Sequence, residues 1–281
     1  MNDSPAFQFV RQLGMDLAAG EFELPPFPDT PLRVQQTMND PNATLADLGP
    51  IVASEPALAA RLMRMANSAM MRRGPMEVTD ITTAISRLGM DMVMNAAVTF
   101  ASREAFKCPA DSPCSSELQK LRRHSARVAA LSYALARNAR FSGKPDEAML
   151  AGLLHAVGKF YIYMRAADHP QLFADQEALR GLMSQWHTGV ARAIVESWGF
   201  PDSIAHAVDE QELKERDRIA SADASDVLFV ANIIARTGRK AAAELGDLDA
   251  LARLSMSPAQ LAQLLEENEE AIDSMTDALG G

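Results

Sequence analysis

No stretch of this 281-residue chain approaches the roughly 20 consecutive apolar residues that a bilayer crossing needs, so the sequence offers no membrane-spanning helix. Its beginning, MNDSPAFQFVRQLG, lacks a basic leader followed by an apolar run, which argues against secretion and makes the cytoplasm the expected location. Cysteine is nearly absent: Cys108 and Cys114 flank the short stretch PADSP. A bridge closing so short a loop would stabilise little, and two thiolates without a second pair are a poor zinc site, so both are read as free thiols in a linker. Positive charge is in deficit, with 27 Lys and Arg against 37 Asp and Glu and a net charge of −10. That balance opposes nucleic-acid binding over the whole surface, because phosphate contacts need concentrated cations. Alternating apolar and polar residues are nowhere sustained, which removes the sheet classes.

What is present is helical periodicity. Phe7, Val10, Leu13 and Leu17 share one face of a helix over residues 5–18, and Asp29, Thr30 and Pro31 start another that ends near Asp40. Thr44 with Asp47 reads as a capping pair, Glu55 and Pro56 open a further helix, and Gly89 separates ITTAISRL from a helix reaching Phe106. Eight methionines lie between Met63 and Met94; most fall at helical spacing with Leu and Ile, as in a core, although a repackable protein-binding groove has the same composition. Two basic stretches stand out, Arg61, Arg64, Arg72 and Arg73, then Lys120, Arg122, Arg123 and Arg127. Both are read as solvated faces or partner-facing rims.

KCPADSPCSS is the clearest boundary, dividing an N-terminal helical subdomain (1–106) from residues 118–281 across a linker (107–117). After it comes an apolar helix carrying His124, and then AMLAGLLHAVGKFYIYM, whose first helix is expected from about Asp146 through His155 to Val157 with almost no solvent face. Two helices follow between Gln185 and Glu210, a long one over 216–236, and a late one opened by Ser257 and Pro258. The tail EENEEAIDSM reads as acidic and solvated. The fold class is all-α.

LPPFPDTPLRV, LGPIVASEPALAARLMRMANSA, DITTAISRLGMDMVMNAAV, RRHSARVAALSYALAR and AGLLHAVGKF, in that order, resemble the HDOD domain proteins, regulatory relatives of the HD metal-dependent phosphohydrolases. The resemblance covers roughly residues 20–210. It implies an N-terminal helical layer packed on an HD-like helical bundle, in a bacterial family linked to signal transduction and often without known enzymatic activity; the residues beyond it read as a C-terminal helical extension. The superfamily's hydrolases hold divalent metal with a first histidine, a His-Asp pair and a distant aspartate. By that resemblance His124 and His155 stand at the histidine positions, Ala156 replaces the aspartate of the pair, and Asn232 replaces the distant one. His187 resembles a later histidine, and where two-metal relatives carry adjacent histidines this chain reads DEQE, leaving Asp209, Glu210 and Glu212 as candidates for a displaced weak site. Lys159 either fills space a cation once used or pairs at a helix end.

These residues form a vestigial site under this reading: His124, His155, Ala156, Lys159, His187 and Asn232, with no catalytic residue and no cofactor expected. The function implied is a regulatory module working through contacts with an unidentified signalling protein, or with a second copy of itself, and not with nucleic acid or membrane. Two other classes remain open. One is a divergent phosphohydrolase using a divalent metal, His124, His155 and a replacement carboxylate. The other is a noncatalytic sensor of a small phosphorylated ligand.

Overall fold

The computed structural model describes residues 24–213, 221–238 and 249–280, together with Phe9, Arg11, Met15 and Leu245. All regular structure among them is helical: α1 (Asp29–Asn39), α2 (Leu45–Ala53), α3 (Pro56–Asn67), α4 (Ile81–Leu88), α5 (Met90–Ala105), α6 (Ser115–Asn138), α7 (Pro145–Leu154), α8 (Val157–Ala167), α9 (Pro170–Ala174), α10 (Gln176–Ser197), α11 (Asp202–Asp209), α12 (Ala224–Thr237), α13 (Asp249–Arg253), α14 (Pro258–Glu267) and α15 (Glu269–Gly280). The helix expected over 5–18 falls largely outside the described residues, of which Phe9, Arg11 and Met15 are helical. None of the described helices is long and apolar enough to cross a membrane.

Local chemistry sets many of the boundaries. The Asp47 carboxylate accepts from both the backbone N–H and the hydroxyl of Thr44 at 2.8 Å, tying off the start of α2. Asp80 accepts from Thr83 N–H at α4, and Gly89, at φ 81°, takes the left-handed turn between α4 and α5. Asp223 accepts from Ser225 N–H at 2.9 Å at the start of α12; of the helix expected over 216–236, residues 216–220 lie outside the described residues, 221–223 are irregular, and the helix begins at Ala224. The single helix α10 occupies the stretch before the GFPDS turn, and α11 follows that turn.

Helices α1 to α5 pack on one another, and α5 also packs on α7. The seam is reinforced by Asn95, which donates to Asp146 O at 3.1 Å, by Trp198, whose indole N–H donates to Pro25 O at 2.8 Å, and by the Phe106 and Phe160 rings stacked at 5.5 Å. Of the eight methionines, Met65, Met92 and Met94 are buried and Met63, Met70, Met71 and Met90 are partly buried against the core. Only Met76 among them is strongly exposed, at 80%.

Two expectations need correction. The acidic tail is not a solvated appendage: α15 packs along α6 and against α3, burying Ile272, Met275, Thr276, Ala278 and Leu279. Those residues form one helical face, which the surrounding carboxylates hide from a reading by charge. Arg61 is likewise not on a solvated face but is 3% exposed, donating to Leu279 O, while Arg103 donates to Gly280 O at 2.7 Å. Two guanidiniums thereby satisfy carbonyls at the end of α15, where the helix dipole favours positive charge. Cys108 and Cys114 are free thiols between α5 and α6.

Candidate functional site

Two glycines bring the site's helices into contact. A Cβ on Gly152 would lie 2.6 Å from Ala129 Cα, so α7 approaches α6 more closely than any side chain allows. A Cβ on Gly158 would lie 2.0 Å from His187 O and 2.8 Å from Ala191 N, so the start of α8 is pressed on α10 in the same way. Both flank the run LLHAV, and together they place His155 and Lys159 against His124 and His187.

The expected helix through Val157 stops at Leu154, and the reason lies in His155 itself. Its Nδ1 donates to Gly152 O at 2.7 Å, taking a carbonyl that a continuing helix would offer to the N–H of residue 156. Ala156 leaves helical geometry at φ −100° and ψ 3°, and α8 starts afresh at Val157. His155 is fully buried, and its Nε2, left as the unprotonated nitrogen, has no hydrogen-bond partner. The His124 ring lies edge-on to it, with centroids 5.4 Å apart.

A chain of amides closes the other side. Gln211 has no exposed surface, and its Nε2 donates to His155 O at 2.9 Å and Val208 O at 2.7 Å. Since both acceptors are carbonyls, the orientation of this amide is fixed, and Oε1 turns to accept from Asn232 Nδ2 at 3.4 Å. Asn232 Oδ1 then faces His124 Nε2 at 3.2 Å, so His124 donates and carries its proton on Nε2. Asn232 itself rides on α12, whose first turn is anchored by the buried Asp226 bonded to Arg253 at 2.5 Å.

Glu212 forms the charged corner. Its Oε1 lies 3.2 Å from His187 Nε2, 3.9 Å from Lys159 Nζ and 3.8 Å from an Arg236 guanidinium nitrogen. The His187 contact is close but lacks hydrogen-bond alignment, so it is an electrostatic contact with an imidazole that is 1% exposed. The His187 N–H dipole at 3.2 Å, with Lys159 and Arg236 adding their fields, holds the Glu212 carboxyl at a pKa of about 2 against the cost of partial burial. Burial depresses all three histidines below the usual imidazole range, His155 furthest, so each is neutral at pH 7. Lys159 is also lowered by burial, with Glu212 opposing the shift.

The structure thus brings together His124, His155, Lys159, His187 and Asn232, with the buried Ala156 methyl where the resemblance puts a carboxylate. Asp209 is engaged elsewhere, with Arg192 at 3.1 Å, and does not join. Gln211 and Arg236 belong to the site and were not singled out from sequence. The run DEQE offers its carboxylates as candidates, and nothing local marks its glutamine as buried. For a divalent metal the donor set is a poor fit: imidazoles and an amide carry no charge to offset the cation, and Asn232 Oδ1 already accepts from His124. Glu212 is committed to His187, Lys159 and Arg236. Among the described residues no three His, Cys, Asp or Glu side chains form a group suited to a metal ion.

Comparison with known proteins agrees with this architecture. A solved structure from Shewanella amazonensis SB2B, provisionally named a metal-dependent phosphohydrolase, superposes with a TM-score of 0.81 at 24% identity, covering 98% of this chain and 99% of that one. A second chain from the same organism, provisionally named a phosphohydrolase, gives 0.71 at 22% identity over 92% and 95%. An HDOD domain protein of unknown function from Geobacter sulfurreducens gives 0.68 at 21% identity over 95% and 96%. At these identities the likeness establishes the shared fold. Comparison with curated proteins finds no match. The model of the HDOD domain matches residues 24–213, well over half of the chain, and the protein therefore belongs to the HDOD domain family.

Proposed function

We propose that this chain is a noncatalytic regulatory module of bacterial signal transduction, acting in the cytoplasm by contact with a signalling protein. The observation that carries the reading is the amide chain from His124 through Asn232 and Gln211 to His155 O. Where a hydrolase of the superfamily would join these positions through a cation, this protein joins them through hydrogen bonds between neutral groups. The family to which the chain belongs supports the regulatory reading, as does the match to a chain provisionally named a signal transduction protein from Marinobacter aquaeolei VT8. We further propose that residues 1–106 and 118–281 are two helical subdomains joined by 107–117, with α15 strapping them together through Arg61, Arg103 and Ser274, whose hydroxyl accepts from Ala69 N–H at 3.0 Å.

The experiment is crosslinking capture from a native bacterial lysate with residue-level mapping, run beside a general phosphodiesterase assay. The proposal expects a specific protein partner mapped to a defined surface and no turnover. Turnover of a phosphoester in the absence of any specific partner would sink it.

A further inference from the structure

The second basic stretch of the sequence has a structural context that sequence alone does not show. Lys120, Arg122, Arg123 and Arg127 lie along α6, and the fold adds Arg103 from α5. Two clefts of about 560 and 720 Å³ run side by side here, sharing Lys120, Arg123, Thr276 and Asp277, with α15 as the opposite wall. From Ser115 to Arg127 the trough follows α6 for about 18 Å.

The charge in this trough is incompletely neutralised. Arg103 and Arg122 donate to the carbonyls of Gly280 at 2.7 Å and Phe106 at 2.8 Å, which satisfies hydrogen bonds and leaves their charges intact. Arg122 Nε is buried and without an acceptor. Arg123 forms no ion pair among the described residues, whereas Lys120 pairs with Glu117 at 2.7 Å and Arg127 with Asp273. Among the described residues five cations therefore face three carboxylates, Glu117, Asp273 and Asp277, on a chain whose net charge is −10. Concentrating surplus positive charge in one trough of an acidic protein, with the exposed Arg123 unpaired among the described residues, creates a local site for anions.

We propose that this trough binds a short polyphosphate chain, either free or as part of a nucleoside polyphosphate. Cations at 120, 123 and 127 follow one another on one side of the helix at rises of about 4.5 and 6 Å, so that three long side chains can converge on one short phosphate chain. The ligand is short because the favourable field is short: Asp273 and Asp277 line the far wall, and the acidic remainder of the surface repels a longer polyanion. The site is independent of the protein-contact reading and shares only His124 with the residues of the histidine cluster.

The test is calorimetric titration of the full chain with sodium tripolyphosphate, with ATP, and with a single-stranded RNA of about 20 nucleotides, each at low and near-physiological salt. Tripolyphosphate or ATP is expected to bind at micromolar concentrations, more weakly as salt rises, and a Lys120→Ala, Arg123→Ala variant should weaken binding by about tenfold or more. Both side chains are exposed, so this variant keeps the fold, and an Arg72→Ala, Arg73→Ala control should bind as the parent does. Equal affinity for the two small ligands means that the phosphate chain alone is read; tighter ATP binding means that the nucleoside is also held. Absence of binding at millimolar ligand, insensitivity to the Lys120 and Arg123 changes, or RNA binding tighter than both small ligands would overturn the proposal.

Discussion

Replacing Gln211 tests the hydrogen-bonded closure of the histidine cluster at its central member. Gln211→Ala removes two donations, to His155 O at 2.9 Å and Val208 O at 2.7 Å, and the acceptor of Asn232 Nδ2 at 3.4 Å, all in a site with no solvent access to Gln211. Each buried polar group left without its partner costs about 1–3 kcal/mol, but the 3.4 Å contact is long and Val208 O lies at a helix end, so the sum is about 3 kcal/mol. The alanine also leaves a void, so Gln211→Met is the cleaner comparison: it conserves volume, loses the donors, and should retain most of that loss, about 2 kcal/mol. Urea denaturation of the three proteins measures it. Long-range proton–nitrogen NMR adds a second readout, because the amide orientations place the proton of His124 on Nε2, while the Gly152 carbonyl places that of His155 on Nδ1. A Gln211→Met variant as stable as the parent, or a His124 protonated on Nδ1, would refute the closure.

Three further outcomes follow from the same geometry. The three buried histidines have pKa values below that of an exposed imidazole, so the unfolded chain takes up protons first: their contribution to stability is full above about pH 6.5 and falls as pH drops below it. Glu212, at about 2, adds stability present above about pH 4.5 and lost between there and pH 2; urea midpoints at pH 7.5, 6 and 5 should fall steadily, and a flat profile would contradict the assignment. Gly158→Ala should cost about 3 kcal/mol or more, or prevent folding, because its Cβ would overlap His187 O, while Gly181→Ala, with open space around it, should be tolerated; thermal melts distinguish them. Leu279→Asp should destabilise by several kcal/mol by burying an unpaired carboxylate at a position with no exposure, whereas Glu270→Gln on the exposed side of α15 should melt with the parent.

Helices whose ends carry their own chemistry were legible in the sequence. Thr44 with Asp47, Pro56 after Glu55, and Ser257 with Pro258 mark starts that depend on side chains within three residues, and the structure uses each of them. The break at His155 was not legible, because no glycine or proline stands between Leu153 and Val157, where the helix ends; it depends on an imidazole turning back to its own helix. The burial of α15 was obscured because carboxylates dominate its composition while Ile272, Met275 and Leu279 supply its packing face. At the candidate site, His124, His155, Lys159, His187 and Asn232 could be named from the resemblance, but their linkage could not. Asn232 meets His124 across 108 positions of sequence, and Gln211 carries no local sign that it is the connecting amide.

The most direct test of the noncatalytic reading is Mn²⁺ titration with elemental analysis on four proteins: the parent, Ala156→Asp, Asn232→Asp and the double variant. Imidazole and amide donors leave a cation's charge uncompensated inside a low-dielectric bundle, and one restored carboxylate still leaves one anionic position empty. The account predicts no stoichiometric metal in the parent and a gain of affinity in the double variant greater than the two single gains combined. Stoichiometric metal in the unmodified protein, with phosphodiesterase turnover abolished by His155→Ala, would contradict it.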